Sequence, residues 1–480
     1  MNYRLVFRVT GLILLIEAAL LLLPCGIALI YRENDVFCFL QPLIISIAAG
    51  LPLSRIPVKQ KAMFAREGFV IVALSWVLFS LIGCLPFIIS GAIPSFVDAF
   101  FETVSGFTTT GASILTDVES LSYSLKFWRC FTNWIGGMGI LVFMLALTPL
   151  TGGSSVHILR AESTGPTVEK MTPKLSTTAK RLYFIYVGIT LLQIVLLAFD
   201  MPLFDAVVNS LATAGTGGFS IFNDSIGHYS AYSQVIIGIF MYLFGINFSL
   251  YYLAIIGKPI QSLKNEELRV FGALVLFSVS VITGDLMLHG VFDSFGETLR
   301  HSFFQVGTII STTGFATTDF NLWPEFSKAL MVLLMFFGSC AGSTAGGMKI
   351  SRIIIAFKAV LHDLHALIHP RSVKSVRLNG KVVSEDVVNR TVKFLLCYLM
   401  LFAVSVLVVS LDGKSFTTNF TAVAATLNNI GPGLDVVGPT GNFSSFSVLS
   451  KIVLTLDMLI GRLEVFPMLI LLSPRTWKGR

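Results

Sequence analysis

The sequence is poor in charge. Lys, Arg, Asp and Glu supply only 13% of its 480 residues, where a soluble domain carries about 25%. It is also poor in cysteine, with six, at positions 25, 38, 84, 130, 340 and 397. No CxxC spacing occurs among them, so neither a metal knot nor a disulfide framework is indicated. They read as small buried hydrophobes. No HExxH, DDxxD or nucleophile-elbow pattern is present. That argues against a polytopic membrane enzyme such as a lipid or isoprenoid transferase, and no catalytic residue is assigned. What abounds is apolar: 54% hydrophobic residues, 41 of them Phe, and a mean hydropathy of +0.80. The expected class is an all-α polytopic membrane protein.

A spanning helix needs about 20 apolar residues. Candidates run over 9–30, 36–53, 68–90, 127–150, 181–199, 233–257, 269–289, 326–360, 392–410 and 446–473. The first run follows Arg4 and Arg8 and is longer than a signal-peptide core, so it reads as a retained helix. Four shorter amphipathic segments lie between alternate pairs, at 97–107, 204–214, 299–310 and 418–427. As helices each would be about 16 Å long, half a membrane.

Each short segment ends in a polar glycine loop. Ser311-Thr312-Thr313-Gly314 follows Phe303-Phe304-Gln305, and Thr108-Thr109-Thr110-Gly111 follows Phe100-Phe101-Glu102. Gly215-Thr216-Gly217-Gly218 follows Val207-Val208-Asn209, and Asn428-Asn429-Ile430-Gly431 follows Phe420-Thr421-Ala422. The closing glycine is always eleven positions after the first residue of its triplet, and the copies are spaced by 107, 96 and 117 residues. A half-length helix with a Gly/Thr loop between two full spans reads as a re-entrant pore loop. The unit is helix, pore helix, loop, helix, four times over. The boundaries are 1–57 for two extra N-terminal helices, then repeats at 58–165, 166–262, 263–375 and 376–480.

Net charge is +7. Its distribution points to membrane topology rather than nucleic acid. With the N-terminus inside, the inner stretches hold 26 of the 34 Lys and Arg and the outer stretches six, with Lys451 and Arg462 inside the last span. This asymmetry puts both termini inside and all four glycine loops outside. Acidic residues enrich the outer stretches, Asp98, Glu102, Asp205, Asp319 and Asp435 among them, as an acidic mouth that gathers cations.

A cation that crosses must exchange its water shell for other oxygens, which converging backbone carbonyls supply. Glycine tolerates the positive φ this requires, and each half-helix directs its negative end at the ion. All four loops face one side and run the same way, unlike the inverted repeats of sodium-coupled symporters of organic solutes.

Two features lie below the loops. Residues 338–347 hold four glycines in ten residues and break the third repeat's second helix. Gly342-x4-Gly347-Met348-Lys349 approaches a phosphate-binding loop, but the Lys-Ser/Thr pair and a preceding strand are missing. Close helix packing through small residues is the other structural option. Arg462 stands 13 residues before Arg475, too deep to snorkel and flanked by Asp457 and Glu464, which offer an ion pair.

Thr108–Ser113 (TTTGAS), Thr216–Ser220 (TGGFS), Ser311–Thr317 (STTGFAT), Asn428–Leu434 (NNIGPGL), Gly338–Ile350 and Gly461–Pro467 (GRLEVFP) together resemble the TrkH branch of the Trk/Ktr/HKT superfamily of potassium transporters. The resemblance spans the whole chain. It implies two N-terminal helices and four helix–pore-loop–helix repeats arranged pseudo-fourfold round one pore, in a bacterial inner membrane. It implies a homodimer regulated by a cytosolic TrkA-type ring that binds ATP/ADP or NAD(H), with K+ as the transported ion. Filter positions carried over are Thr109, Thr110, Gly111, Thr216, Gly217, Gly218, Thr312, Thr313, Gly314, Asn429, Ile430 and Gly431. Gate positions are Gly338, Gly342, Gly346, Gly347 and Lys349, at the loop's cytosolic end, and Arg462. The loops 151–181 and 361–386 are the expected docking surface. No filter has a TVGYG run, so fewer stacked sites and weaker discrimination against sodium than in a tetrameric channel are expected, with rubidium behaving as potassium. Channel conduction and proton- or sodium-coupled symport both fit these residues.

Overall fold

Helices account for nearly all the regular structure, and serine caps set where the short ones begin. The computed structural model describes residues 1–58, 64–137, 139, 175–370 and 375–477. Helices α1 (Tyr3–Ile30) and α2 (Val36–Ser54) form a tight hairpin. A Cβ added at Gly11 of α1 would stand 2.4 Å from the Ser54 nitrogen, the close approach that small residues permit.

Four units follow. The first has α3 (Ala65–Gly83) with its continuation α4 (Leu85–Ile89), the pore helix α5 (Phe96–Phe107) and α6 (Tyr123–Gly137). The second has α7 (Leu175–Leu197), the pore helix α8 (Leu203–Gly215), then α9 (Ala231–Gly245), α10 (Phe248–Ile255) and the short α11 (Pro259–Leu263). The third has α12 (Glu266–Leu288), the pore helix α13 (Phe295–Ile310), α14 (Glu325–Met335) and α15 (Ile350–Ile368). The fourth has α16 (Glu385–Val409), the pore helix α17 (Phe416–Leu427), α18 (Val448–Arg462), α19 (Phe466–Leu472) and the terminal turn α20 (Pro474–Trp477).

Three pore helices start at a serine whose hydroxyl accepts a first-turn N–H: Ser95 from Asp98, Ser294 from Glu297 and Ser415 from Thr418. The second starts at Pro202, which fixes its own φ.

One expectation is corrected: the second helices of units two and four are not plain rods. α9 and α10 bend by 92° at Ile246-Asn247. In unit three α14 and α15 are separated by the glycine loop, the break that the sequence predicts. α18 and α19 are separated by Leu463-Glu464-Val465, where Val465 has φ 68°. Six described helices are therefore long and apolar enough to span a membrane, or seven counting the bent pair, while the broken second helices of units three and four fall short as single rods. The all-α class stands, and the described residues add one small strand pair to it. Strands β1 (Arg377–Leu378) and β2 (Lys381–Val382) pair antiparallel in a small hairpin. Its turn, Asn379-Gly380, has φ values of 51° and 76°, the conformation that Asn-Gly favours in two-residue hairpins. Most of the 151–181 docking stretch, and the end of the 127–150 span, lie outside the described residues.

Candidate ion-conducting site

The four pore helices end alike. Thr109, Thr216, Thr312 and Asn429, each two residues before its glycine, all have φ 55°. Each donates its N–H three residues back, and the next residue donates five back: Thr110 to Ser105, Gly217 to Ala212, Thr313 to Thr308 and Ile430 to Ala425, at 2.8–2.9 Å. This is the Schellman ending, with a left-handed residue that is not glycine. A β-branched residue at positive φ is a genuine outlier. Its appearance in three of four loops marks a conformation the surroundings impose.

Beyond that residue each chain turns into the loop, and the glycine takes positive φ: 79° at Gly111, 68° at Gly218, 87° at Gly314 and 98° at Gly431. The loops then close on one another. A Cβ at Gly111 would stand 2.4 Å from the Gly217 oxygen, one at Gly218 2.0 Å from the Thr313 oxygen, and one at Gly314 2.1 Å from the Ile430 oxygen. One at Gly431 would stand 2.7 Å from the Thr110 oxygen. Each glycine thus rests on the carbonyl just before the next glycine, and the fourth returns to the first. All four glycines line one cavity of about 130 Å³, with Thr116, Asn223 and Asn442 at its wall.

The loop 338–347 lies directly beneath this ring. Its Gly346 N–H donates to Thr312 Oγ1 at 2.7 Å, and a Cβ on Gly346 would stand 2.7 Å from Asn429 Cβ. Gly338 and Gly347 belong to the loop's neck, where the Gly338 N–H donates to the Met348 oxygen at 2.7 Å. The loop also plugs the break in the second unit: Cys340 N–H donates to the Gly245 oxygen, and the Gly342 oxygen accepts from Phe248, both at 3.1 Å. Lys349 is not a solvent-facing residue. It is 1% exposed, and its ammonium donates to the Ala345 and Gly346 carbonyls. Most of this irregular backbone is covered by protein, with Gly342 left exposed.

Arg462 ends α18 beneath the glycine ring. Its guanidinium donates to the Thr344 oxygen at 2.8 Å and the Gly136 oxygen at 2.7 Å. It therefore joins the fourth unit, the glycine loop and the first unit. The neighbouring acids have partners of their own: Glu464 pairs with Arg352, and Asp457 accepts from Ser405 at 2.8 Å.

The TrkH family model, described as a cation transport protein, matches residues 37–478. The chain belongs to the TrkH family. It is 37% identical over 484 residues to "Trk system potassium uptake protein TrkH" of Salmonella typhimurium (strain LT2), covering 100% of both chains. To "Trk system potassium uptake protein TrkG" of Escherichia coli (strain K12) it is 36% identical, covering 100% of this chain and 99% of that one. The crystal structure of the potassium transporter TrkH from Vibrio parahaemolyticus matches with a TM-score of 0.89 at 33% identity, covering 100% of each.

In this TrkH-family chain, part of the expected acidic mouth is internal. Glu102 is fully buried and pairs with Arg129 at 2.6 Å. Its other contacts are Ser113 Oγ at 3.0 Å and the Ile114 N–H at 2.9 Å, which pin the chain just after Gly111. Arg129 in turn donates to the Ser220 oxygen at 2.8 Å and lies 3.8 Å from the Phe219 ring centroid. Asp98 is likewise taken, by Lys451 at 2.6 Å. The third triplet residue was a readable signal: Glu102, Asn209 and Gln305 are polar in three of the four copies, and all three are buried. Glu267 had no such signal. It sits in the first turn of α12 and looks like an ordinary helix-start acid.

Proposed function

We propose that this chain takes potassium across the membrane through a selectivity filter made by Thr109–Gly111, Thr216–Gly218, Thr312–Gly314 and Asn429–Gly431. The observation that carries this reading is the closed ring. Four loops in one conformation each seat a glycine against the next loop's carbonyl, and their backbone oxygens are the ligands that could replace an ion's water. The names of the relatives, potassium uptake proteins, agree with it. The pore helices add the negative ends of four helix dipoles.

The gate in this reading is the glycine loop with Arg462. The loop obstructs the path below the filter, and a guanidinium there repels cations. The repeat boundaries at 58, 166, 263 and 376, the inner-membrane location and cytosolic termini belong to the same proposal. So do a homodimeric assembly and a cytosolic nucleotide-binding regulator. They rest on the charge asymmetry and the family resemblance.

The test is rubidium uptake in cells lacking potassium uptake systems. Cells carrying the wild-type chain are expected to accumulate rubidium. The Gly314→Ser chain is expected to lose at least 90% of that uptake, since the added Cβ would meet the Ile430 oxygen at 2.1 Å with φ at 87°; an order of magnitude corresponds to only about 1.4 kcal/mol. An inert wild type or a fully active Gly314→Ser protein refutes the filter assignment.

A further inference from the structure

At the start of α12 two successive carboxylates hold two different structures. Glu267 is 6% exposed, and its Oε1 accepts the Ala341 N–H at 2.8 Å and the Ser351 N–H at 3.0 Å. One oxygen thereby fastens the glycine loop near its beginning and just past its end. Glu266 holds the β1–β2 hairpin instead. Its N–H donates to Asn379 Oδ1 at 2.7 Å, and its Oε2 accepts the Asn379 N–H at 3.2 Å. Lys358 ties the same corner together, pairing with Glu266 and donating to the Arg377 oxygen at 2.9 Å.

We propose that Glu267 is a positioning residue that latches the glycine loop under the filter, and that the hairpin is the lever that releases it. This rests on reading residues 338–347 as the gate. The chemistry suits a latch. A carboxylate accepting two backbone N–H groups makes charge-assisted bonds, stronger than neutral ones. When they break, the two amides need other partners, so loop and carboxylate separate together. The hairpin suits a lever. Asn379 and Gly380 are exposed, and Arg377 and Lys381 give the strands a basic surface on the side that the charge asymmetry assigns to the cytosol. Force on its turn reaches α12 through Glu266, one residue from the latch. Other ties of the loop are Gly346 to Thr312 and Thr344 to Arg462 at its far end, and the neutral bonds of Ser339 to Ile310, Cys340 to Gly245 and Gly342 to Phe248 on the near flank. Release at Glu267 therefore removes a charge-assisted tie from the 338–343 flank and leaves neutral hydrogen bonds there.

Cys340 reports on that flank, since it adjoins Ala341 and is fully buried. The full chain, with the other five cysteines replaced by alanine, is reconstituted in liposomes. Cys340 modification by a charged methanethiosulfonate reagent and rubidium uptake are both measured. Glu267→Ala is expected to raise both about tenfold, the scale of a lost charge-assisted hydrogen bond. Glu267→Gln keeps an acceptor oxygen and is expected to restore most of the parent behaviour. Asn379→Ala, in an exposed turn, is expected to raise both about threefold on the same scale. The preference for rubidium over sodium is expected to stay unchanged throughout.

Parent-level modification and uptake in a Glu267→Ala protein that keeps its ion preference overturns the latch. If Glu267→Ala loses its ion preference through misfolding, Asn379→Ala carries the test, and parent-level Cys340 modification there overturns the proposal. Deletion of residues 341–346 separates this from the gate itself. If the deletion fails to raise uptake, the gate reading fails. If it raises uptake while Glu267→Ala does nothing, only the latch fails.

Discussion

A fully buried carboxylate and the guanidinium beside it hold the first filter loop to the second. Glu102 fixes the chain after Gly111, and Arg129 reaches the carbonyl of Ser220 two residues past Gly218. Removing one partner leaves a buried charge, which costs about 3–5 kcal/mol. Arg129→Met is therefore expected to lower the thermal unfolding midpoint sharply in detergent and to abolish rubidium uptake. Arg129→Lys keeps the charge but not the forked geometry, so partial recovery is expected in both measurements. The four loops of the ring were legible because four copies carry the glycine in one phase. The Glu102–Arg129 pair was not, because both residues sit near the outer side in the sequence, where charge ordinarily means water. Which outer charges are solvated is decided by contacts between units far apart in the chain, and no local pattern reports them.

Among the elements, the interrupted second helices carry the most consequence. In the third unit the break was visible, since four glycines in ten residues do not continue a helix. In the fourth it was not. Arg462-Leu463-Glu464-Val465 holds no glycine, yet Glu464 and Val465 have φ values of 56° and 68°. Hydropathy measures composition over a window and passes over a turn made by tertiary contacts. The break also corrects the depth argument for Arg462, which assumed a continuous helix of about 20 Å to Arg475. Arg462 is held by the Thr344 and Gly136 carbonyls whatever that distance. Arg462→Ala removes both bonds and the positive charge under the filter. It is expected to raise rubidium flux severalfold with little change in ion preference, measured in proteoliposomes under opposed rubidium and sodium gradients. Unchanged or reduced flux in a well-folded protein would contradict this.

At the scale of the molecule, a second ring of contacts stands outside the filter ring. Asn223 joins the first and second outer loops through Asp117 Oδ1 at 3.1 Å and the Val118 N–H at 2.9 Å. The Ile226 N–H joins the second to the third through the Ala316 oxygen at 2.9 Å. Asn321 joins the third to the fourth by accepting the Asp435 N–H at 2.8 Å, and the Phe443 N–H closes the circuit on the Ser113 oxygen at 2.8 Å. One of these joints uses a carboxylate directly, and another uses the backbone of Asp435, whose carboxylate the Ser415 and Thr418 hydroxyls hold in place. The Asn223 amide holds Asp117 below the usual carboxylate range, and the Ser415 and Thr418 hydroxyls do the same for Asp435. A depressed folded-state value means that the stabilisation is present above the ordinary aspartate value, about 3.9, and is lost as pH falls through and below it. Hydrogen exchange at residues 117–120 and 435–438 is expected to quicken, once corrected for the intrinsic pH dependence of exchange, between pH 5 and pH 3, while Ile226 changes little. Equal protection at both pH values would refute the assignment. One consequence of the filter ring follows from its being a single polypeptide. In a channel of four identical subunits every substitution is written four times, and the quarters cannot specialise. Here one quarter can carry Asn429 where the others carry threonine, one can own the plug and another the arginine, and a mutation alters one voice of the quartet while three keep the tune.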